Sequence, residues 1–290
     1  PEFRKNEMLS FLQQPLKDLS ISRTNERAKN WGVPVPNDNA QRIYVWFDAL
    51  NIYQSGIGFN WDKKSYQQWW PADLHVIGKG IARFHAIYWP AFLLSAKLPL
   101  PKSLFIHGYF TVEGQKMSKT LGNVIDPFEL IDKYGTGPLR YYFLRAISAY
   151  GDGDFSIQRF KEVYNADLAN GLGNLIARVA KLCQTSGFYF KPTRPVLSKR
   201  YADYLEKYQF DSALKRVWQW VAQADRKINQ KKVWEQKGKS LENSLQSLVT
   251  TIHRIAYHLS PFLPETAEKI QKQFAGPKIK TGKPLFPRLK

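Results

Sequence analysis

The stretch that most narrows the possible folds spans residues 74–107. Residues 74–77 read as a buried strand, and they run straight into Gly78-Lys79-Gly80. An apolar helix is predicted over residues 81–96, ended by Pro99 and Pro101, and residues 104–107 form a further strand broken by Gly108. Strand, glycine turn, helix, strand is a βαβ unit, so the two strands are expected to lie parallel in one sheet. Ligands of such sheets sit beyond the carboxyl ends of the strands, here near residues 78–80 and at His107 and Gly108.

An earlier strand is expected at residues 43–47 from its β-branched and aromatic run. Beyond Gly108, residues 109–112 and the turn Glu113-Gly114-Gln115 suggest a short hairpin. Asp126-Pro127 caps a new helix that should stop near Gly135. From about Ser156 the pattern is helical. Leu168, Leu172, Leu175, Ile176, Val179 and Leu182 make one apolar face, and Leu241, Leu245, Leu248, Ile252, Ile255 and Leu259 another. The proline-rich, basic residues 277–290 read as a strap, surface-hugging or loose. An α/β piece followed by a helical bundle is the expectation, with the change near residues 151–156.

Among 290 residues, 43 are Lys or Arg and 24 Asp or Glu, a formal charge of +19. The excess is uneven. Residues 199–290 hold 19 basic and 8 acidic groups, whereas residues 1–198 hold 24 and 16. A polyanion, most simply a nucleic acid, is the partner this favours over mere solubility. The 43% hydrophobic and 14% aromatic content excludes general disorder. No run of about 18 apolar residues suggests a membrane span, and no basic-then-apolar leader is visible. The single cysteine, Cys183, excludes an internal disulfide and a cysteine-rich zinc site.

The sharpest chemical signal is Lys116-Met117-Ser118-Lys119-Thr120 followed by Leu121-Gly122-Asn123. Two lysines three residues apart on a glycine-flanked loop can both reach one polyphosphate, where compact ammonium charges suit phosphate oxygens. Such charges help most when they neutralise charge that develops in a transition state. In the helical half, Asp167, Asn170, Asn174, Arg178 and Lys181 fall on one polar flank at 100° per residue. Asn174 and Arg178, four apart, can meet one extruded base, and Trp234 offers a stacking face. By themselves these residues equally describe a charged helix exterior with a half-buried tryptophan.

The lysine string resembles the KMSKS signature of class I aminoacyl-tRNA synthetases, with Thr120 in place of the last serine. Its neighbourhood is more specific. Tyr44-Val45-Trp46-Phe47-Asp48-Ala49-Leu50, Arg83-Phe84-His85-Ala86-Ile87-Tyr88-Trp89-Pro90-Ala91, His107-Gly108-Tyr109 and Asn165-Ala166-Asp167-Leu168-Ala169-Asn170 resemble methionyl-tRNA synthetases. The likeness extends from about Asn6 to about Phe274. It implies the C-terminal half of such an enzyme: no His-x-Gly-His string occurs, and the N-terminal half would be the partner that supplies it.

The implied fold is α/β then all-α, the second half of a Rossmann-like nucleotide-binding domain followed by an α-helical anticodon-binding bundle. The implied boundaries are 1–115 for the catalytic piece, 116–155 for the lysine loop and a linking segment, 156–276 for the bundle and 277–290 for the basic tail. The implied activity is ATP-dependent activation of methionine, with Mg2+, and its transfer to tRNA(Met) in the cytoplasm, away from membranes. Lys119 and Lys116 would serve catalysis at the ATP phosphates, with Gly78, Gly80 and Ser118 completing the ATP contacts. Ser118 would shape the loop rather than attack, since the chemistry needs no covalent enzyme intermediate.

The methionine pocket would comprise Trp46, Ala49, Leu50, Tyr53, Ile81, His85 and Trp89. An aromatic chamber suits a polarisable thioether, and Ile81, His85 and Trp89 stand four apart. Without the resemblance the tryptophans read as core and His85 as a satisfied buried histidine. Asn174, Arg178 and Trp234 would read the anticodon. One departure stands out: the family has Gly-x-Asp, whose Asp binds the ribose hydroxyls, where this chain has Gly78-Lys79-Gly80. The alternatives are a non-catalytic tRNA-binding module, or another class I synthetase with an apolar amino acid.

Overall fold

The computed structural model describes residues 1–289, with the backbone alone at Lys119. The chain divides into two compact units, residues 1–109 and 110–290.

The first unit opens with helix α1 (Glu2–Leu12) and a small antiparallel sheet of β1 (Ser22–Thr24), β2 (Pro34–Val35) and β3 (Asp38–Ile43), in the order β1-β3-β2. Helix α2 (Asn25–Ala28) sits between β1 and β2, its first turn capped by the Thr24 hydroxyl accepting from the Arg27 amide. The strand expected at residues 43–47 is corrected here. Pairing on both sides recruits the polar residues 38–43 into β3, while the apolar run after Tyr44 coils into α3 (Val45–Ala49). The Phe47 and Asp48 amides both return to the Tyr44 carbonyl, which starts that helix. A short apolar run does not distinguish strand from buried helix, and the i, i+4 spacing of Trp46 and Leu50 decides it.

Helices α4 (Ile52–Ser55) and α5 (Lys63–Trp69) follow. Strand β4 (His75–Gly78) then pairs in parallel with β5 (Leu104–His107), with His75 opposite Leu104 and Gly78 opposite His107. The crossover between them holds a 3₁₀ turn (Lys79–Ile81), a π-helical stretch (Phe84–Tyr88) and α6 (Trp89–Ser95). It is thus a βαβ unit whose helix is widened where Phe84 and His85 enter it.

The second unit begins with a hairpin of β6 (Phe110–Val112) and β7 (Gln115–Lys116). Glu113 and Gly114 turn it, with φ of 52° and 75°, the backbone a two-residue hairpin of this hand requires. Strand β8 (Gly153–Phe155), not foreseen from sequence, pairs in parallel with β6 and is the last strand among the described residues. Helix α7 (Pro127–Tyr134) starts at the Asp126 carboxylate, which accepts from the Phe128 amide, and ends at Gly135. Helix α8 (Thr136–Ala146) comes next.

The bundle comprises α9 (Ile157–Val163), a π-helical stretch (Tyr164–Gly173), α10 (Asn174–Ser186), α11 (Lys199–Glu206), α12 (Phe210–Gln230), α13 (Gly238–Leu259) and α14 (Pro264–Gln273). Its core is continuous. Val179, Leu214, Val217, Ile228, Leu245, Leu248 and Ile252 are buried together with Tyr141 and Tyr142 of α8. The tail hugs this unit as a strap. Ile279 and Phe286 are buried, and the Leu289 backbone exchanges a pair of hydrogen bonds with the Asn165 amide.

Candidate functional site

The lysine loop is braced from within. Asn123 accepts from the Ser118 amide at 2.8 Å and donates to the Lys116 carbonyl at 3.1 Å, closing the loop across its mouth. The Ser118 hydroxyl accepts from the Thr120 amide at 3.2 Å, which engages it in shaping the backbone. Gly122, at φ of 67°, supplies the left-handed turn that brings Asn123 back. Lys116 is exposed at the end of β7. Lys119 begins a 3₁₀ turn, and its side chain lies outside the described residues. Asn123 is the residue whose bracing role sequence reading missed; its signal was a side chain with both donor and acceptor just after the glycine.

In the first unit, the helical crossover and α3–α4 bring together a chamber of aromatic rings. His85 is 2% exposed. Its Nδ1 lies 2.9 Å from the Ile81 carbonyl and its Nε2 2.8 Å from the Tyr53 hydroxyl. A carbonyl only accepts, so Nδ1 carries the proton and Nε2 accepts from Tyr53. Burial pushes the His85 pKa below the ordinary histidine value, opposed by the bond to Ile81. Burial likewise raises the Tyr53 phenol. The pair is therefore neutral, as a site for an uncharged apolar group requires.

Trp89 and Leu50 are buried beside this pair, and Trp46 stacks on Phe84 with ring centroids 4.2 Å apart. The structure thus gathers Trp46, Leu50, Tyr53, His85 and Trp89 in one cluster. It does not gather all seven expected residues. The Ile81 side chain packs with Met8, Ile77 and Ile106, so only its carbonyl serves the chamber. Ala49 is exposed on α3. His75 was missed. It is buried at the start of β4, its ring 4.3 Å from that of Tyr53, and burial, then proximity to His85, lowers its pKa. The His75 Nδ1 and the Trp89 Nε1 are buried without a protein partner.

At the carboxyl end of β4, Gly80 leaves a space that Tyr109 fills. A Cβ on Gly80 would fall on the Tyr109 hydroxyl and stand 3.1 Å from its Cζ. The side chain absent at residue 80 is replaced by a phenol from residue 109, not by empty space. The Lys79 ammonium lies 5.0 Å from the centre of that ring.

In the bundle, Arg178 and Trp234 line one cavity of about 380 Å³, with Lys181 and the apolar side chains of Leu182 and Ile228. Asn174 is exposed one turn before Arg178 and does not line it. Asp167 does not share their flank: it accepts from the buried Tyr141 hydroxyl at 2.6 Å and faces Arg145 at 3.5 Å. The π-helical stretch (Tyr164–Gly173) turns less per residue than the 100° assumed. Asp225 and Asn229, absent from the expected set, both hold Arg178.

A parallel βαβ frame, a braced two-lysine loop after it and a basic helical bundle form, in that order, the layout of a class I aminoacyl-tRNA synthetase. Residues 1–180 match the family model described as tRNA synthetases class I (M), and residues 196–287 that of the anticodon-binding domain of tRNA ligase. The chain belongs to the class I tRNA synthetases of the methionine group.

Its sequence is 41% identical over 295 residues to a methionine–tRNA ligase of Thermotoga maritima, covering 93% of this chain and 45% of that protein. It is 42% identical to the Synechocystis enzyme of the same name, covering 94% and 55%. In structure it is similar to a Mycobacterium tuberculosis methionyl-tRNA synthetase in complex with methionyl-adenylate, with TM-score 0.85 and 33% identity over 99% of this chain and 64% of that one. The chain spans about half the length of the curated relatives it matches.

Proposed function

We propose that this chain is the C-terminal part of a methionine–tRNA ligase, which joins methionine to ATP and passes the acyl group to tRNA(Met). The observation that carries the reading is the neutral chamber of Leu50, Tyr53, His85 and Trp89. Its rings and its uncharged histidine favour a thioether over a charged or strongly polar side chain. His85 and His75 both pack against the Tyr53 ring and His85 also bonds its hydroxyl, so Tyr53 is held before ligand arrives.

In this reading Lys119, supported by Lys116, neutralises charge on the ATP phosphates as pyrophosphate leaves, and Asn123 sets the spacing of the two. Gly78 lets backbone approach the ribose. Mg2+ enters with the phosphates: the loop offers ammonium groups, not carboxylates, and among the described residues no cluster of three His, Cys, Asp or Glu side chains could hold a metal ion. Asn174, Arg178 and Trp234 meet the anticodon, and the excess charge of residues 199–290 meets phosphates. Among the described residues no helix is long and apolar enough to cross a membrane, in keeping with a cytoplasmic ligase.

The test is amino-acid-dependent pyrophosphate exchange by this chain combined with a polypeptide carrying the remaining half. Exchange with methionine, and none by the 290-residue chain by itself, is expected, because an incomplete site loses orientation as well as contacts. Exchange driven by leucine or valine instead would refute the methionine assignment. The basic excess of residues 199–290 favours one second reading, a non-catalytic tRNA-binding module; tRNA binding without exchange in the reassembled protein would select it.

A further inference from the structure

Arg178 does not reach into its cavity as a free side chain. Its Nη1 donates to Asp225 Oδ1 at 2.5 Å and its Nη2 to Asn229 Oδ1 at 2.8 Å. Asn229 Nδ2 donates to Asp225 Oδ2 at 3.2 Å, which closes a triangle and fixes which way round the Asn229 amide stands. Asp225 and Asn229 are four apart on α12, so one helix face presents both acceptors to the planar guanidinium from α10.

From this we infer that Asp225 and Asn229 are positioning residues: they hold the plane of the Arg178 guanidinium so that its remaining N–H groups face a base over Trp234. The inference rests on the anticodon reading proposed above and names what gives that reading its selectivity. A guanidinium has five N–H donors in a rigid fork. The two acceptors on α12 take one from each terminal nitrogen, and the others stay available along the cavity that Lys181 and Trp234 share. An unclamped arginine would follow any nearby phosphate as a mobile charge, because a side chain with its rotamer freedom intact adapts to many partners.

Asp225 therefore acts in two opposed ways. Its carboxylate orients Arg178, which favours one base over others. Its negative charge also offsets the cations of Arg178 and Lys181, which weakens indiscriminate attraction to phosphates. Selectivity and non-specific affinity should consequently change in opposite directions when it is removed. A residue that merely stabilises the bundle would lower both.

The test titrates the 290-residue chain and its Asp225→Ala, Asp225→Asn and Asn229→Ala variants against two tRNA transcripts, one with a CAU anticodon and one with the anticodon scrambled. Wild type should prefer CAU. Asp225→Ala should lose roughly tenfold of that preference, the share of one oriented base contact, with binding of the scrambled tRNA unchanged or tighter. Asp225→Asn keeps the acceptor toward Arg178, replaces the one toward Asn229 by a donor, and removes the charge. It should retain the preference to within about twofold and steepen the salt dependence by up to about one charge. Asn229→Ala should lose less than Asp225→Ala, since the acceptor it offers Arg178 is an uncharged amide oxygen.

A wild type without preference overturns the anticodon reading, and the clamp with it. A wild type that prefers CAU while Asp225→Ala keeps that preference overturns the clamp and leaves the anticodon reading standing. So does a parallel fall of both tRNAs in Asp225→Ala, or an Asp225→Asn variant as unselective as Asp225→Ala.

Discussion

Gly80 tests whether the packing at the end of β4 is understood. Its φ is not in the left-handed region, so backbone geometry does not demand glycine. On that ground alone Gly80→Ala should stabilise the chain by about 0.4–1 kcal/mol, through a less flexible unfolded state. The structure says otherwise, because the new Cβ would fall on the Tyr109 hydroxyl. Tyr109 is 47% exposed and can swing outward. The move gives up the Lys79 ammonium over its ring, and forced repacking of this kind costs about 1–3 kcal/mol.

The net expectation for Gly80→Ala is therefore a loss of about 1 kcal/mol, from the repacking cost less the entropic gain. In a Tyr109→Ala background the obstacle is gone and the same substitution should become neutral or stabilising, a coupling of about 1–2 kcal/mol. Urea unfolding of the four proteins of this cycle, followed by amide exchange at β4, measures it. An equal loss in both backgrounds would refute the reasoning. The cycle also bears on the nucleotide. Gly80→Asp, which restores the family's carboxylate, should tighten ATP binding in the reassembled protein by roughly 1 kcal/mol only where Tyr109 has been shortened, since the phenol otherwise holds the space.

In the reassembled enzyme, Lys119→Ala should slow methionine activation by about 10²- to 10³-fold with little change in methionine affinity; a pure rise in the Michaelis constant for methionine in pyrophosphate exchange would show the role is misassigned. Trp234, 51% exposed over its cavity, should contribute roughly 1–3 kcal/mol of stacking, so Trp234→Ala should weaken binding of the CAU tRNA by that much in a filter-binding titration. His75, His85 and His258 all have pKa values lowered from 6.5, chiefly by burial. The unfolded chain then binds more protons than the folded one below about pH 6.5, so stability is full above that pH and falls as pH drops toward the folded values. Urea midpoints at pH 7.5 and 5.5 should show the loss, and equal midpoints would contradict it.

Where one period governs a segment, the sequence was enough. The faces of α10 and α13 were legible because a steady 3.6-residue repeat leaves only one side to bury: Leu175, Val179, Leu245 and Ile252 are all inside. Asp126 and Gly135 bound α7 for equally local reasons. What failed depends on partners distant in sequence. Polar residues 38–43 become a strand only because β1 and β2 flank them, and β8 exists because β6 offers an edge forty-odd residues earlier. Asp167 was placed on the wrong flank because nothing local announces the π-helical stretch (Tyr164–Gly173) that rotates it toward Tyr141.

The same distinction runs through the site. Motifs point to the side chains proposed to bring chemistry, namely the lysines of the loop, the rings of the chamber and Arg178. They do not show what holds those side chains, because the holders come from elsewhere: Asn123 for the loop, His75 for Tyr53, Asp225 and Asn229 for Arg178, Tyr109 for the space at Gly80. Each holder is an ordinary residue in sequence whose effect is to reduce the freedom of a more recognisable one. Preorganisation of this kind is what converts a list of suitable groups into selective binding, since a group already fixed loses little further entropy when ligand arrives. The loop and the clamp differ in one respect that follows from their chemistry. Asn123 braces backbone, through the Ser118 amide and the Lys116 carbonyl. Asp225 and Asn229 brace the side chain itself, as the base-reading role proposed for Arg178 requires.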